Sequence, residues 1–138
     1  MPVRHKNKTL AALLSFLLGA IGLHRFYLTG LRDRWGWLHF ASLPASAALL
    51  LALPGQPLLV TASPLVLSAL VASIETFVIG LMPDEKWDAT YNPDSGMKSD
   101  SRWFVAALMV ANLFYGATLL LTVIARAFDL WLTGGAYG

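Results

Sequence analysis

LLVTASPLVLSALVASIETFVIGLM, residues 58–82, carries a single charged side chain, Glu75, in a run long enough to cross a lipid bilayer. A hydrocarbon core of about 30 Å takes about 20 mostly apolar residues, each adding about 1.5 Å of helical rise. Two further stretches meet that length: Trp35–Leu53, in which only His39 could become charged, and Phe104–Ala125, which has no acidic, basic or histidine residue. A fourth, Thr9–Tyr27, is apolar or small as far as Leu23 and then meets His24-Arg25-Phe26-Tyr27. Its last turn is expected in the headgroup region, with Arg25 extended toward water.

Composition agrees with lipid as the solvent. Of 138 residues, 57% are hydrophobic and 13% charged, whereas a soluble chain carries roughly 25% charged residues to keep its surface wet. The expected fold class is all-α: a polytopic helical membrane protein with four transmembrane helices, at about 9–27, 35–53, 58–82 and 104–125. Residues 1–53 form a first hairpin. Residues 54–138 form a second helical pair, with a polar loop at 83–102 and an interfacial C-terminal tail that frays over Gly134–Gly138. In the loop, Asn92-Pro93 and Ser95-Gly96 favour turns over helix. Arg4, Lys6 and Lys8 ahead of an apolar run resemble the start of a secretory signal. No small-residue cleavage site follows, so the block is expected to stay in the chain.

Inside a bilayer, helices associate through small residues and interhelical polar contacts rather than through the hydrophobic effect. Ala11, Ser15, Gly19 and Gly22 share one face of the first predicted helix, and Ala41, Ala45, Ala48 and Ala52 one face of the second. These stripes predict a tight antiparallel hairpin. Trp35, Trp37, Trp87 and Trp103 flank the first and third loops and predict an aromatic belt on one side of the membrane. The basic residues do not orient four crossings. Arg25, Arg32, Arg34, Lys86, Lys98 and Arg102 fall on the side of those loops, and Arg4, Lys6, Lys8 and Arg126 on the other.

The run KNKTLAALLSFLLGAIGLHRFYLTGLRDRWGWLHF, residues 6–40, resembles the TM2 domain family, a pair of membrane helices joined by a short polar linker. Lys6 and Lys8, Leu18-Gly19, Gly22, His24-Arg25-Phe26-Tyr27-Leu28 and Gly30 carry the likeness, which extends over about residues 6–53. Thr29 stands where the family commonly has glycine. His24-Arg25-Phe26 replaces the Asp-Arg-Phe type motif of animal relatives, so a signalling role tied to that motif is not carried over. The resemblance implies a membrane location, in the manner of bacterial NINE-type proteins the inner membrane, a helical hairpin, and an undefined biochemical role.

Glu75 is the most informative residue, because a carboxylate about seven residues from the end of an apolar helix must be paired, protonated or wetted. A contact with His39 or Arg25 is expected, either fixing helix register or serving as a proton or cation site. His24, Arg25, Phe26 and Tyr27 form a second candidate patch, for lipid headgroups or a partner, or simply an interface anchor. No catalytic constellation is present. His5, His24 and His39 lack metal-ligand spacing, there is no Gly-x-Ser-x-Gly turn, and no glycine-rich phosphate loop. No cofactor, metal or nucleic-acid partner is expected. Membrane lipids, other membrane proteins or further copies of the chain are the expected partners. A structural or interaction module is therefore expected, with a small transporter or channel subunit, using Glu75, Asn112 or Thr118, as the alternative.

Overall fold

The computed structural model describes residues 4–137, and every regular element among them is helical. The outer limits of the two expected units, at residues 1–3 and 138, lie outside the described residues. The helices are α1 (Lys8–Leu18), α2 (Leu23–Thr29), α3 (Arg34–Ala52), α4 (Leu58–Thr61), α5 (Ser63–Leu81), α6 (Asp84–Tyr91) and α7 (Trp103–Thr133), with a 3-10 turn at Gly19–Ile21. Three are long and apolar enough to cross a membrane: α3 and α5 at 19 residues each and α7 at 31. At about 1.5 Å per residue, the first two match the hydrocarbon thickness and the third exceeds it.

The first predicted helix, 9–27, is not one helix. Asn7 caps α1 by accepting the Leu10 N–H at 3.0 Å. α1 ends at Leu18, and the 3-10 turn after it stops at Gly22, whose φ of +77° lies in the left-handed region open to glycine. The chain reverses there and α2 climbs back beside α1. The Lys6 Nζ donates to the Leu28 carbonyl at 2.6 Å, and the Asn7 N–H donates to the Tyr27 hydroxyl at 2.8 Å. The segment therefore enters and leaves on the same side. Four expected crossings become three plus a re-entrant hairpin, whose turn is tolerated at membrane depth because Gly19 and Gly22 are buried against α5 and α3.

α5 is the hub, packed against α1, α3 and α7. Ala11, Ser15 and Gly19 are buried as expected, but against α5 rather than α3: Ser15 Oγ donates to the Ala72 carbonyl and meets Thr76 Oγ1 at 2.8 Å. Gly22 does reach α3, beside Gly36 and His39. The stripe Ala41, Ala45, Ala48 and Ala52 is exposed, and the buried face of α3 is Gly36, His39, Ser42 and Ser46. Polar contacts, more costly to leave unmade in lipid than alanine contacts, set the rotation of this helix. On the far side of α5, fully buried Asn112 donates to the Ser73 carbonyl at 2.9 Å and locks α7 in place.

The expected 83–102 loop is half helix. Pro83 precedes α6, and Asp84 and Glu85 fill its first turn, where carboxylates suit the positive end of the helix. Trp87 leaves the predicted belt: it is fully buried, and its Nε1 donates to the Lys6 carbonyl at 3.0 Å. Trp35, Trp37 and Trp103 are exposed, as a belt requires. The last predicted helix, 104–125, runs on to Thr133, and the tail after it is folded back, with the Gly135 and Tyr137 N–H groups donating to Asp129. Likewise 58–82 is broken at Ala62 into α4 and α5.

Candidate functional site

Glu75 lies about two turns below the end of α5, and three elements converge on it. His24 Nε2 on α2 is 2.8 Å from Glu75 Oε2, His39 Nε2 on α3 is 3.1 Å from the same oxygen, and Arg25 Nη1 donates to Oε1 at 2.6 Å. The expected Glu75–His39 and Glu75–Arg25 contacts are both present. His24, expected at the membrane surface, is 1% exposed and is the third partner. Gly22, two residues earlier, makes the reversal that turns His24 inward, and a lone glycine in an apolar run does not announce it.

The cluster extends in two directions. Toward water, Arg25 Nε donates to Asp33 Oδ2 at 2.7 Å, while Asp33 also accepts from the Thr29 hydroxyl and caps α3 by accepting the Trp35 N–H at 3.0 Å. Burial alone would raise the Asp33 carboxyl, but hydrogen bonds from Arg25, Thr29 and Trp35 hold it below the ordinary aspartate range. Toward the membrane centre, His39 Nδ1 is 2.6 Å from Ser68 Oγ, which donates to the Ala20 carbonyl at 2.6 Å. A hydroxyl has one proton to give. Ser68 thus stands between the Ala20 carbonyl and His39 Nδ1 and ties the 3-10 turn to α3 and α5. Arg25 bridges the carboxylates of Asp33 and Glu75. His24 Nδ1 is the one buried side-chain nitrogen or oxygen among the described residues with no hydrogen-bond partner.

Phe26 and Tyr27 face elsewhere. The Phe26 ring stands edge-on to Trp37, with centroids 5.3 Å apart, over the Gly36 backbone. Tyr27 ties α2 to Asn7. The four residues of the expected surface patch are thus divided between the Glu75 cluster and the hairpin's own packing. A cleft of about 120 Å³ does open beside the cluster, lined by Arg25, Thr29, Asp33, Glu75 and Tyr91 among others. No group of three or more histidine and acidic residues is arranged to hold a metal ion among the described residues.

A second polar assembly closes the same end of the molecule. Buried Lys8 donates from Nζ to the Met82 carbonyl and, at 2.9 Å, to Asp84 Oδ1, joining the start of α1 to the end of α5. Ser99 donates its N–H and hydroxyl to Asp88, each at 2.6 Å, and Ser101 makes the same pair of bonds to Asp84. One turn apart on α6, the two carboxylates take hold of alternate residues of the following loop. His5 and Lys6 bind it too, through Ser95, Ser99 and Asn92.

Residues 4–53 match the model of the TM2 domain family. The matched segment covers the re-entrant hairpin and α3, and ends where α3 ends. The helices α4 to α7 lie beyond it. No curated protein and no solved structure matches the chain.

Proposed function

Since residues 4–53 carry a TM2 domain, we propose that this chain is a structural or interaction module of a bacterial inner membrane, in which α5 holds the TM2 hairpin rigid. The observation that carries this reading is the state of Glu75. A carboxylate offers about four lone-pair positions, and here His24, His39 and Arg25 already occupy three. An acid so engaged joins helices and has little left for a travelling cation. What remains for partners is the outer surface. Leu120, Leu121, Ile124, Phe128, Trp131 and Leu132 are exposed along the C-terminal half of α7.

The reversal at Gly22 supports one orientation. With the N-terminal segment, the α2–α3 link and the α6 loop at one end, nine of the ten basic residues lie there: Arg4, Lys6, Lys8, Arg25, Arg32, Arg34, Lys86, Lys98 and Arg102, leaving Arg126 at the other. Lysine and arginine accumulate on the cytoplasmic side of membrane proteins, so this end is assigned to the cytoplasm.

A second reading, a proton-handling subunit of a transporter, is favoured by the cleft beside Glu75. Proteoliposomes holding wild type or Glu75→Gln, assayed for pH-driven flux and for thermal unfolding, separate the two. The structural reading expects equal flux and a lower Tm in the variant. Flux present in wild type and lost in Glu75→Gln with Tm unchanged establishes the second.

A further inference from the structure

We infer that the outer groove between α3 and α5 holds an acyl chain of an anionic phospholipid, whose phosphate is met by Arg34 and Arg32. The groove encloses about 390 Å³ and is walled by Trp35, Leu38, Leu67 and Val71 over a floor of Ala41 and Ala45. It exists because the polar face of α3 turns inward: His39 and Ser42 lie in it, but their polar atoms are bound to Glu75, Ser68, Ala20 and the α3 backbone. What remains for an occupant is hydrocarbon. The alanines that the sequence places in a stripe leave space here instead of packing a helix.

Length selects the occupant. From Trp35 to Ala45 the groove follows ten residues of helix, about 15 Å, which is half the hydrocarbon thickness of about 30 Å. It starts beside an exposed tryptophan at the head of α3 and ends at Pro64 in the first turn of α5. A lipid tail fits that length, whereas a second transmembrane helix, at about 20 residues and about 30 Å, would run on well beyond it. A void left there would forfeit the dispersion contacts of its lining atoms.

Charge selects the headgroup. Arg34 adjoins Trp35 in the first turn of α3, and Arg32 lies two residues before it. Both are exposed, and neither forms an ion pair among the described residues. The carboxylate between them, Asp33, is already bound to Arg25. Two uncompensated guanidinium groups at the mouth of an apolar slot match a phosphate with no cationic neighbour, so phosphatidylglycerol is favoured over zwitterionic phosphatidylethanolamine.

The test is native mass spectrometry of the full chain released from nanodiscs of equal phosphatidylglycerol and phosphatidylethanolamine. Wild type is expected to retain phosphatidylglycerol about fivefold or more over its partner, from about 1 kcal/mol per basic residue near the surface. Arg32→Gln with Arg34→Gln should keep a bound lipid but bring the two headgroups to parity. Ala45→Phe, which fills the slot, should lose the adduct, while Ala111→Phe on the exposed face of α7 keeps it. Retention of both lipids in the bilayer ratio by wild type, or an unchanged adduct in Ala45→Phe, overturns the inference. So does loss of a dimer in Ala45→Phe, which would make a second copy the occupant.

Discussion

At the scale of single residues, the molecule depends on one carboxylate and one glycine. Glu75→Ala leaves Arg25, His24 and His39 without the carboxylate they share, and removing one partner from a buried pair costs roughly 3–5 kcal/mol. Because the Glu75 side chain is 22% exposed, the lower end of that range is expected, read as a fall in Tm in mild detergent. Glu75→Gln keeps an acceptor and should lose less. An Ala variant as stable as wild type would show that the cluster contributes nothing to folding. At Gly22, an added Cβ would sit 2.5 Å from the Gly36 carbonyl oxygen in a backbone conformation that costs a non-glycine residue about 1–2 kcal/mol. Neither partner is a flexible side-chain end that could move aside. Gly22→Ala is therefore expected to destabilise by more than about 2 kcal/mol, whereas Gly30→Ala, with open space around it, carries only the conformational cost.

At the scale of elements, α6 and the loop it grips form an acid-sensitive clasp. The Asp88 carboxyl is brought down to about 2, chiefly by the Ser99 hydroxyl and N–H. Burial would raise that of Asp84, but the hydrogen bonds from Ser101 and Lys8 outweigh it and hold it low. A carboxyl depressed by folding contributes stability that is complete above its unfolded value near 4 and is lost as pH falls through the folded one. Fluorescence of buried Trp87, whose indole rests on the Lys6 carbonyl, should change between about pH 4 and pH 2. Asp88→Asn should shrink the change. If Trp87 emission in wild type stays constant over that range, the clasp does not respond to acid. This clasp was not legible in the sequence, because turn-forming pairs such as Asn92-Pro93 predict a loop but not which helix will hold it. The three spanning helices were legible, since length and hydropathy decide them. The reversal at Gly22 was not, because a lone glycine in an apolar run reads equally well as a packing contact. The partners of Glu75 were legible as far as depth in the membrane could give them, which reached His39 and Arg25. His24 required the reversal to be known first. The alanine stripe of α3 misled, because its small side chains carry no signal as strong as that of His39, Ser42 and Ser46 on the opposite face.

At the scale of the whole molecule, the hairpin changes the parity of the chain. Four crossings would return the C-terminus to the side of the N-terminus, whereas three crossings and a re-entrant segment separate them. The distribution of basic residues distinguishes the two arrangements sharply. Under four crossings it is six against four, which orients nothing, and under three it is nine against one. A strong bias appears only when the hairpin is read as re-entrant, and topogenic charge is expected to be strongly biased. The same arrangement puts Lys6 and Lys8 to use at the ends of α2 and α5, where they meet carbonyls that no helix partner satisfies. The absence of cysteine from the chain allows a direct check. Single cysteines at Arg4, Leu31 and Met97 should react with a membrane-impermeant maleimide only after cells are permeabilised. Cysteines at Gln56 and Ala136 should react in intact cells whose outer envelope admits the reagent. The pair Arg4 and Leu31 decides the matter, since they lie on either side of the hairpin in sequence. If they label from opposite faces of the membrane, the segment crosses, and the inward turn of His24 toward Glu75 goes with it.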